Sequence, residues 1–493
     1  MGDNIAIIST FVFYLVLLLG IGYWGEKKFG KTYKGFVAAG KGLGAWTSAI
    51  SAATSGESAW VMLGLAGLGY SKGIPGYWAA IACSLGFIFN SFFITRQLRK
   101  ATEDPDILTL SDYIEKRTGD RKHILRTIGG IIIIIFMLAY VVGQFTGSGK
   151  NMAGMGITTY TGGVLIGAII IGIYVLMGGY AAVCLTDLVQ GILMAVVMIG
   201  FPIFAIIKAG GFGAIFSFLN ANNIASFIPA EGALGFIIGT LGIALGYPGM
   251  PHIVVRYITV RDEREARRSA WIFSIWGIIV FFGSVTLGIV TRVLLPELAD
   301  KEYALPQFAV NFVHPILAGV VLSAVTAAMM STADSQLIYS ATTLVNDFWI
   351  KITKKSVKPR TAVWITRALI GILTIIAMII ALFNIRTIYS FVLYAWSALG
   401  SAFGPVVILS LFWKRFNRWG ALTSLILGPI ITVVWYNVPA LKSIVYELIP
   451  AFGISLIGAI LVTLLTPPAE PIKKYENNMM ENDSEPPTVV SPT

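Results

Sequence analysis

The short stretch MMSTADSQL carries an acid and three hydroxyls inside a run that is otherwise almost wholly apolar. On a helix, Ser331, Asp334 and Ser335 stand at positions i, i+3 and i+4, so their oxygens share one face, and Ala328 lies one turn earlier on that face. A small hard cation such as Na+ loses its water shell on entering a protein and needs several oxygen ligands in return. The spacing therefore predicts a helix face that binds an alkali cation.

Two further acids, Asp187 in GGYAAVCLTDLVQG and Glu57 in TSGES, also interrupt apolar runs. Isolated hydroxyls inside a membrane are explained equally well by packing and hydrogen bonding between helices. An intramembrane carboxylate is costly, however, and by default indicates a functional site. Asp187 falls near the end of its run, where a solvated or helix-capping acid remains an alternative.

The elements that position these residues are membrane spans. The chain of 493 residues is 56% hydrophobic and 12% charged, whereas soluble domains are about 25% charged. Apolar runs of roughly 20 residues recur to about position 466. We predict an all-α polytopic membrane protein with one transmembrane domain, residues 1–466, and a disordered cytoplasmic tail, residues 467–493.

Most basic residues fall in short segments between the apolar runs, which is typical of cytoplasmic loops. This explains the net charge of +11 without nucleic acid. One such loop is assigned the arginines Arg256, Arg261, Arg264, Arg267 and Arg268. Threading the spans between these loops predicts about thirteen helices in the plasma membrane, with the N-terminus outside and the C-terminus cytoplasmic.

Two spans contain residues that oppose a continuous helix. The second span has TSGES, residues 54–58, at mid-membrane, and the seventh has GYPGMP, residues 246–251. Glycine disfavours helix and proline removes a donor, so both spans are predicted to unwind near the bilayer centre. Simple kinks are the alternative, but two polar breaks five spans apart indicate an inverted repeat with a midplane solute and ion site.

Aromatic residues near the breaks have two explanations. Trp and Tyr collect at membrane interfaces, which is sufficient to explain Tyr394 and Trp396. Trp60 and Tyr247 adjoin the predicted midplane breaks instead, so they are candidates for a solute site.

Several stretches resemble, in order, those of the sodium/solute symporters, and within that family its bacterial sodium/proline branch. They are SAISAATSGESAWVMLGLAG, LTLSDYIEKRTGD, GGYAAVCLTDLVQ, GYPGMPHIVVRY, AAMMSTADSQL and YAWSALGSAFGPVVI. The resemblance implies a five-plus-five inverted repeat with discontinuous helices and extra flanking helices. It also implies alternating access that moves a small solute inward with Na+, no enzymatic activity and no obligate protein partner.

The same resemblance assigns residues. The family's conserved Na+ site would be formed by three backbone carbonyls and two hydroxyls, those of Thr54, Glu57, Ala328, Ser331 and Thr332. A second cation site would use the polar side chains of Asp187, Ser331, Asp334 and Ser335. Solute contacts would fall on residues near the two breaks, namely Ser58, Trp60, Tyr140, Tyr247 and Pro251.

The chain also departs from the proline branch. It has Gly56 where those symporters carry an aspartate, an acid one position later as Glu57, and Ile243 in place of a tryptophan. We expect Na+-coupled symport of proline or a related amino acid. The alternatives are an H+-coupled symporter of another small solute with Glu57 as the proton carrier, a cation channel, and an intramembrane enzyme using Asp187 and Asp334 as a carboxylate pair.

Overall fold

The computed structural model describes residues 2–29, 41–104, 107–177, 179–229, 232–353, 358–383, 387–468 and 470. Within these ranges the chain is built from helices, with one isolated β-bridge between Leu43 and Val260. The predicted disordered tail lies almost wholly outside the described residues.

Eleven helices of the described part are long and apolar enough to cross a bilayer, or twelve if one bent pair is counted as a span. Two more helical segments, at residues 45–56 and 60–72, are separated by a short break. Counting them as one span gives thirteen, against the eleven or twelve that length and apolar composition identify. In chain order, spans 1 to 13 are Gly2–Phe29, 45–72, 77–101, Ile124–Gly154, Tyr160–Met177, Tyr180–Lys208, 233–259, Glu263–Leu294, 315–352, Pro359–Leu382, Ile388–Phe412, Arg418–Asn437 and Leu448–Leu465. Shorter helices in the connections are Leu110–Thr118, Gly211–Ala221 and Ala304–Phe312.

The spans differ in how much of their surface is inside the protein. In the most apolar stretch of spans 9 and 11, 83% of the residues are buried, against 28% for span 1 and 33% for spans 10, 12 and 13. Spans 9 and 11 therefore form the centre of the bundle, while the others present apolar side chains outward. The polar stretch that begins at Met329 lies in span 9, where every residue from Val321 to Thr342 is buried.

Both predicted breaks are confirmed. In span 2, the helix Ala45–Gly56 ends and Glu57 takes an extended conformation, with φ −100° and ψ 92°. The chain becomes helical again at Trp60. In span 7, a 3-10 segment Gly242–Gly249 leads to an extended Met250, and Pro251 begins a helix bent by 47° from the first half.

A buried ion network joins spans 4 and 9 at one end of the bundle. Arg126 donates hydrogen bonds to Asp112 at 2.9 Å, Glu115 at 2.8 Å and Asp347 at 2.5 Å. Because removing one member of a buried ionic network leaves uncompensated charge, these contacts hold helix Leu110–Thr118 against both spans. The orientation of span 9 is thereby fixed relative to span 4.

Candidate functional site

The break in span 2 leaves backbone groups without helical partners, and neighbouring spans supply replacements. The N–H of Ala59 donates to Gln144 of span 4 at 2.9 Å. The carbonyl of Val61 accepts from the hydroxyl of Ser284 in span 8 at 2.6 Å. Because unpaired backbone is costly in lipid, these two polar side chains allow the break to persist inside the bundle.

Four of the five predicted Na+ ligands converge at this break. Ser331 and Thr332 donate their hydroxyls to the carbonyl of Thr54, at 3.0 Å and 3.3 Å. The Ser331 hydroxyl also lies 3.2 Å from the carbonyl of Ala328. The Thr54 carbonyl is available because the helix ends at Gly56, and the last four carbonyls of a helix lack intrahelical partners.

All of these oxygens are removed from solvent. The residues Thr54, Ala328, Ser331 and Thr332 each have 0% exposed surface. Two hydroxyls and two carbonyls that face one another in a dry site form a ligand set suited to a hard alkali cation. The fifth predicted ligand, Glu57, follows Thr54 by three residues and ends the same helix.

The predicted second cation cluster contains a residue that the sequence interpretation placed elsewhere. Asp187 accepts a hydrogen bond from Ser51 at 2.6 Å, and Asp334 accepts one from Ser335 at 3.0 Å. Arg256 lies between the two acids: it donates to the Ser335 hydroxyl and lies 3.5 Å from the Asp187 carboxylate. The protein therefore supplies one positive charge beside these two acids.

The assignment of Arg256 to a basic loop is wrong. The residue is 1% exposed and belongs to helix Pro251–Thr259 of span 7. Its guanidinium also bonds the Ser51 hydroxyl at 3.1 Å. Asp187, for which a solvated position remained an alternative, is fully buried. The one sequence signal was the position of Arg256 within the apolar stretch MPHIVVRYI, ahead of the polar loop.

The candidate solute residues surround the break from three spans. The hydroxyls of Ser58 and Tyr140 are 3.4 Å apart. Trp60 stacks on Tyr389 with ring centroids 5.5 Å apart. Tyr247 packs edge-on against Trp396 at 4.7 Å. Pro251 starts the second half of span 7, where its fixed φ suits a first helical position.

Trp396 has a structural role at the second break, so interface anchoring does not explain it. It is 4% exposed, and its indole N–H donates to the carbonyl of Ile243 at 3.1 Å. On the opposite side of the break, the amide of Asn90 donates to the carbonyl of Tyr247 at 2.9 Å. Gly246 is required there, because an added Cβ would lie 1.9 Å from the Trp396 indole nitrogen.

A cavity borders the predicted second cation cluster. It is bordered by Arg256, Ser335, Tyr339 and Tyr180, and by Thr109 next to helix Leu110–Thr118. The cavity therefore lies between Ser335 of span 9 and the residues that precede helix Leu110–Thr118.

The sequence and fold have relatives among known proteins. A profile of the sodium:solute symporter family matches residues 36–428. The chain is 33% identical over 477 residues to the high-affinity proline transporter PutP of Bacillus subtilis, covering 95% of this chain and 100% of that protein. It is 32% identical to the osmoregulated proline transporter OpuE of the same organism, covering 94% and 95%.

Solved structures with a similar arrangement of helices include a Na+-coupled sialic acid symporter in a substrate-bound outward-open state. The two chains are 18% identical, with a TM-score of 0.79, covering 95% of this chain and 99% of the other. MhsT in complex with L-phenylalanine is 13% identical, with a TM-score of 0.54, covering 85% and 97%. These likenesses show the fold, and the five-plus-five inverted repeat that the family resemblance implied is confirmed.

Proposed function

Since this chain belongs to the sodium:solute symporter family and is a Na+-coupled solute symporter of the plasma membrane, we propose that its solute is L-proline or a closely related small amino acid. The proposal is supported by the relatives named as proline transporters, which match almost the whole chain. It is also supported by the small, aromatic surroundings of the span 2 break, where Ser58, Trp60 and Tyr140 lie together.

The observation that carries the mechanism is the convergence of the Ser331 and Thr332 hydroxyls on the Thr54 carbonyl. The coupling Na+ binds between these oxygens and the carbonyl of Ala328, with the carbonyl of Glu57 completing the set. Bound Na+ replaces the hydroxyl hydrogens as the partner of the Thr54 carbonyl. It thereby orders residues 54–58, whose far end carries Ser58 of the solute site.

The transport cycle then requires the ion to leave on the opposite side from the one it entered. The cavity bordered by Arg256 and Ser335 lies one helical turn of span 9 beyond Ser331, and its lining extends to Thr109, next to helix Leu110–Thr118. The basic residues Arg117, Arg121 and Lys122 lie at this end, which the positive-inside rule assigns to the cytoplasm. The N-terminus is then outside, the C-terminus is cytoplasmic, and the cavity is part of the route for Na+ release.

Labelling of single cysteines tests the orientation. Both native cysteines, Cys83 and Cys184, are buried, so they give little background. A membrane-impermeant maleimide applied to intact cells should label Ser443→Cys in the connection between spans 12 and 13. It should label Lys122→Cys only after the membrane is permeabilised. The opposite pattern would reverse the proposed topology.

Uptake into proteoliposomes tests the solute. An inward Na+ gradient should drive accumulation of labelled L-proline, and a pH gradient without Na+ should not. A panel of other labelled amino acids, betaines and sugars offered under the same Na+ gradient identifies the solute class. Accumulation of a sugar with no response to any amino acid would overturn the proposal.

A further inference from the structure

The Glu57 side chain is a buried acid for which the described part of the protein provides no partner. The residue is 0% exposed, and neither carboxylate oxygen accepts a hydrogen bond from another described group. A buried carboxylate in this condition is strongly unfavourable, because its hydration is lost and nothing replaces it. Such a group is stabilised either by taking up a proton or by binding a cation that comes from outside the protein.

The Glu57 carboxylate interacts electrostatically with groups of the candidate solute site, and the hydroxyl of the next residue, Ser58, lies 3.4 Å from that of Tyr140. The electrostatic neighbours of the carboxylate are Cys83, Tyr140 and Tyr247, which come from spans 3, 4 and 7. Asp334, by contrast, interacts with Asp187 and Arg256 of the cation cluster. The backbone carbonyl of Glu57 thus belongs to the proposed Na+ site, whereas its side chain interacts with Tyr140 and Tyr247, which are candidate solute-binding residues.

In this chain a side chain at the preceding position, Gly56, would meet apolar groups. A Cβ added at Gly56 would lie 3.0 Å from Ile253 and 3.9 Å from Phe87. An acid at residue 56 would therefore project into apolar side chains of spans 7 and 3.

A donor suited to the opposite end of a zwitterion is also available near the break. The indole N–H of Trp60, three residues after Glu57, is buried without a hydrogen-bond partner among the described residues. Its ring stacks on Tyr389, which gives the site a rigid aromatic wall. Aromatic faces attract ammonium groups, and an indole N–H donates readily to a carboxylate.

We propose that the carboxylate of Glu57 binds the cationic nitrogen of the transported solute, while the Trp60 indole N–H donates to the solute carboxylate. The inference rests on the proposed function and deepens it by stating which side chain recognises the ammonium group that L-proline and related amino acids carry. The proposed Na+ site uses only the backbone carbonyl of Glu57, so the side-chain carboxylate is left for the solute nitrogen. Neutral sugars and carboxylic acids without a nitrogen lack the group that Glu57 requires.

Competition against Na+-driven uptake of labelled L-proline tests this inference in the wild-type protein. The competitors are unlabelled L-proline and tetrahydrofuran-2-carboxylate, in which oxygen replaces the ring nitrogen. The inhibition constant of the oxygen analogue should be about 10- to 100-fold higher than that of L-proline, which is the range expected for the loss of one charge-assisted hydrogen bond. Equal competition by the two compounds would overturn the inference without any variant being made.

The variant Glu57→Gln then separates the roles of backbone and side chain. We expect the apparent KM for L-proline to rise by about 10- to 100-fold, with equilibrium binding of 22Na+ to the purified protein within about twofold of wild type. Glu447→Gln, which alters a buried acid of the span 11 and span 13 contact, should change neither quantity. An unchanged KM, or a joint loss of Na+ binding, would show that the side chain serves the ion or a proton instead.

A failure of the proline assignment is distinguishable from a failure of this inference. If wild-type protein takes up no proline, the solute is sought by Na+-dependent thermal stabilisation of the purified protein with the same panel of amino acids, betaines and sugars. The inference stands if every stabilising compound carries a cationic nitrogen. It fails if a neutral sugar or a nitrogen-free acid stabilises the protein.

Discussion

The guanidinium group of Arg256 in span 7 lies 3.5 Å from the carboxylate of Asp187 in span 6, and both groups are buried. Ser51 of span 2 joins them, because its hydroxyl donates to Asp187 and accepts from Arg256. The second predicted cation cluster therefore contains a permanent positive charge that belongs to the protein. Arginine keeps this charge at any physiological pH.

This contact predicts the number of ions moved in each cycle. Because the Arg256 guanidinium lies beside Asp187 and donates to the Ser335 hydroxyl, it takes the place of a cation there. We expect one Na+ per solute, with uptake depending on Na+ with a Hill coefficient near one. The ratio of 22Na+ to labelled solute influx in proteoliposomes measures this directly.

Removing the charge of Arg256 tests whether this arginine is the reason that one Na+ moves with each solute. Arg256→Gln leaves Asp187 and Asp334 without a buried cation, so the cluster should take up a second Na+. The Hill coefficient should then rise toward two, at a lower maximal rate. A ratio of two in the wild-type protein would contradict this account.

The first cation site gives a second prediction. Ser331→Ala and Thr332→Ala each remove one oxygen from the four that converge at Thr54. The Na+ concentration for half-maximal uptake should therefore rise by roughly 10-fold or more, because a lost ligand of this kind costs about 1.5 kcal/mol or more of binding free energy. Uptake measured over a range of Na+ concentrations at fixed solute gives this value. Tyr247→Phe should instead raise the KM for solute.

A serine on the same helix provides the control. Ser323 is buried in span 9, and its hydroxyl bonds only its own helix, at the carbonyl of Gly319. Ser323→Ala should leave the Na+ dependence of uptake within about twofold of wild type, since local serine bonds of this kind add little. Equal losses in all of these variants would argue against separate ion and solute sites.

The part of the site that lies on a single helix was predictable from the sequence, whereas the contacts between different spans were not. Spacing placed Ser331 and Asp334 on one face, because a helix has a fixed period. The resemblance paired that face with Thr54. Arg256, Gln144 and Trp396 were missed, since their roles depend on which spans pack together, and an isolated sequence contains no direct record of those contacts.

Helix packing at the second break gives a third prediction. A methyl group at Gly246 would overlap the indole of Trp396, which bonds the carbonyl of Ile243. Gly246→Ala should therefore destabilise the protein by about 1–3 kcal/mol, seen as a lower melting temperature in detergent. Gly371→Ala is the matched control, because an added Cβ there meets no atom within 4 Å, and its melting temperature should not fall.

The final prediction concerns the coupling between ion and solute. The ion and solute sites share residues 54–60, so bound solute should raise the affinity for Na+, by about 5- to 150-fold. Bound Na+ should raise the affinity for solute by the same factor. Gln144 holds this segment through the N–H of Ala59. Gln144→Leu leaves that buried donor unpaired, at a cost of about 1–3 kcal/mol to the conformation that both ligands favour. Equilibrium 22Na+ binding with and without saturating proline should therefore show a smaller factor in this variant.

Gln307→Leu, outside the break, is the control and should retain the wild-type factor. An unchanged factor in Gln144→Leu would mean that the coupling between ion and solute passes through other contacts.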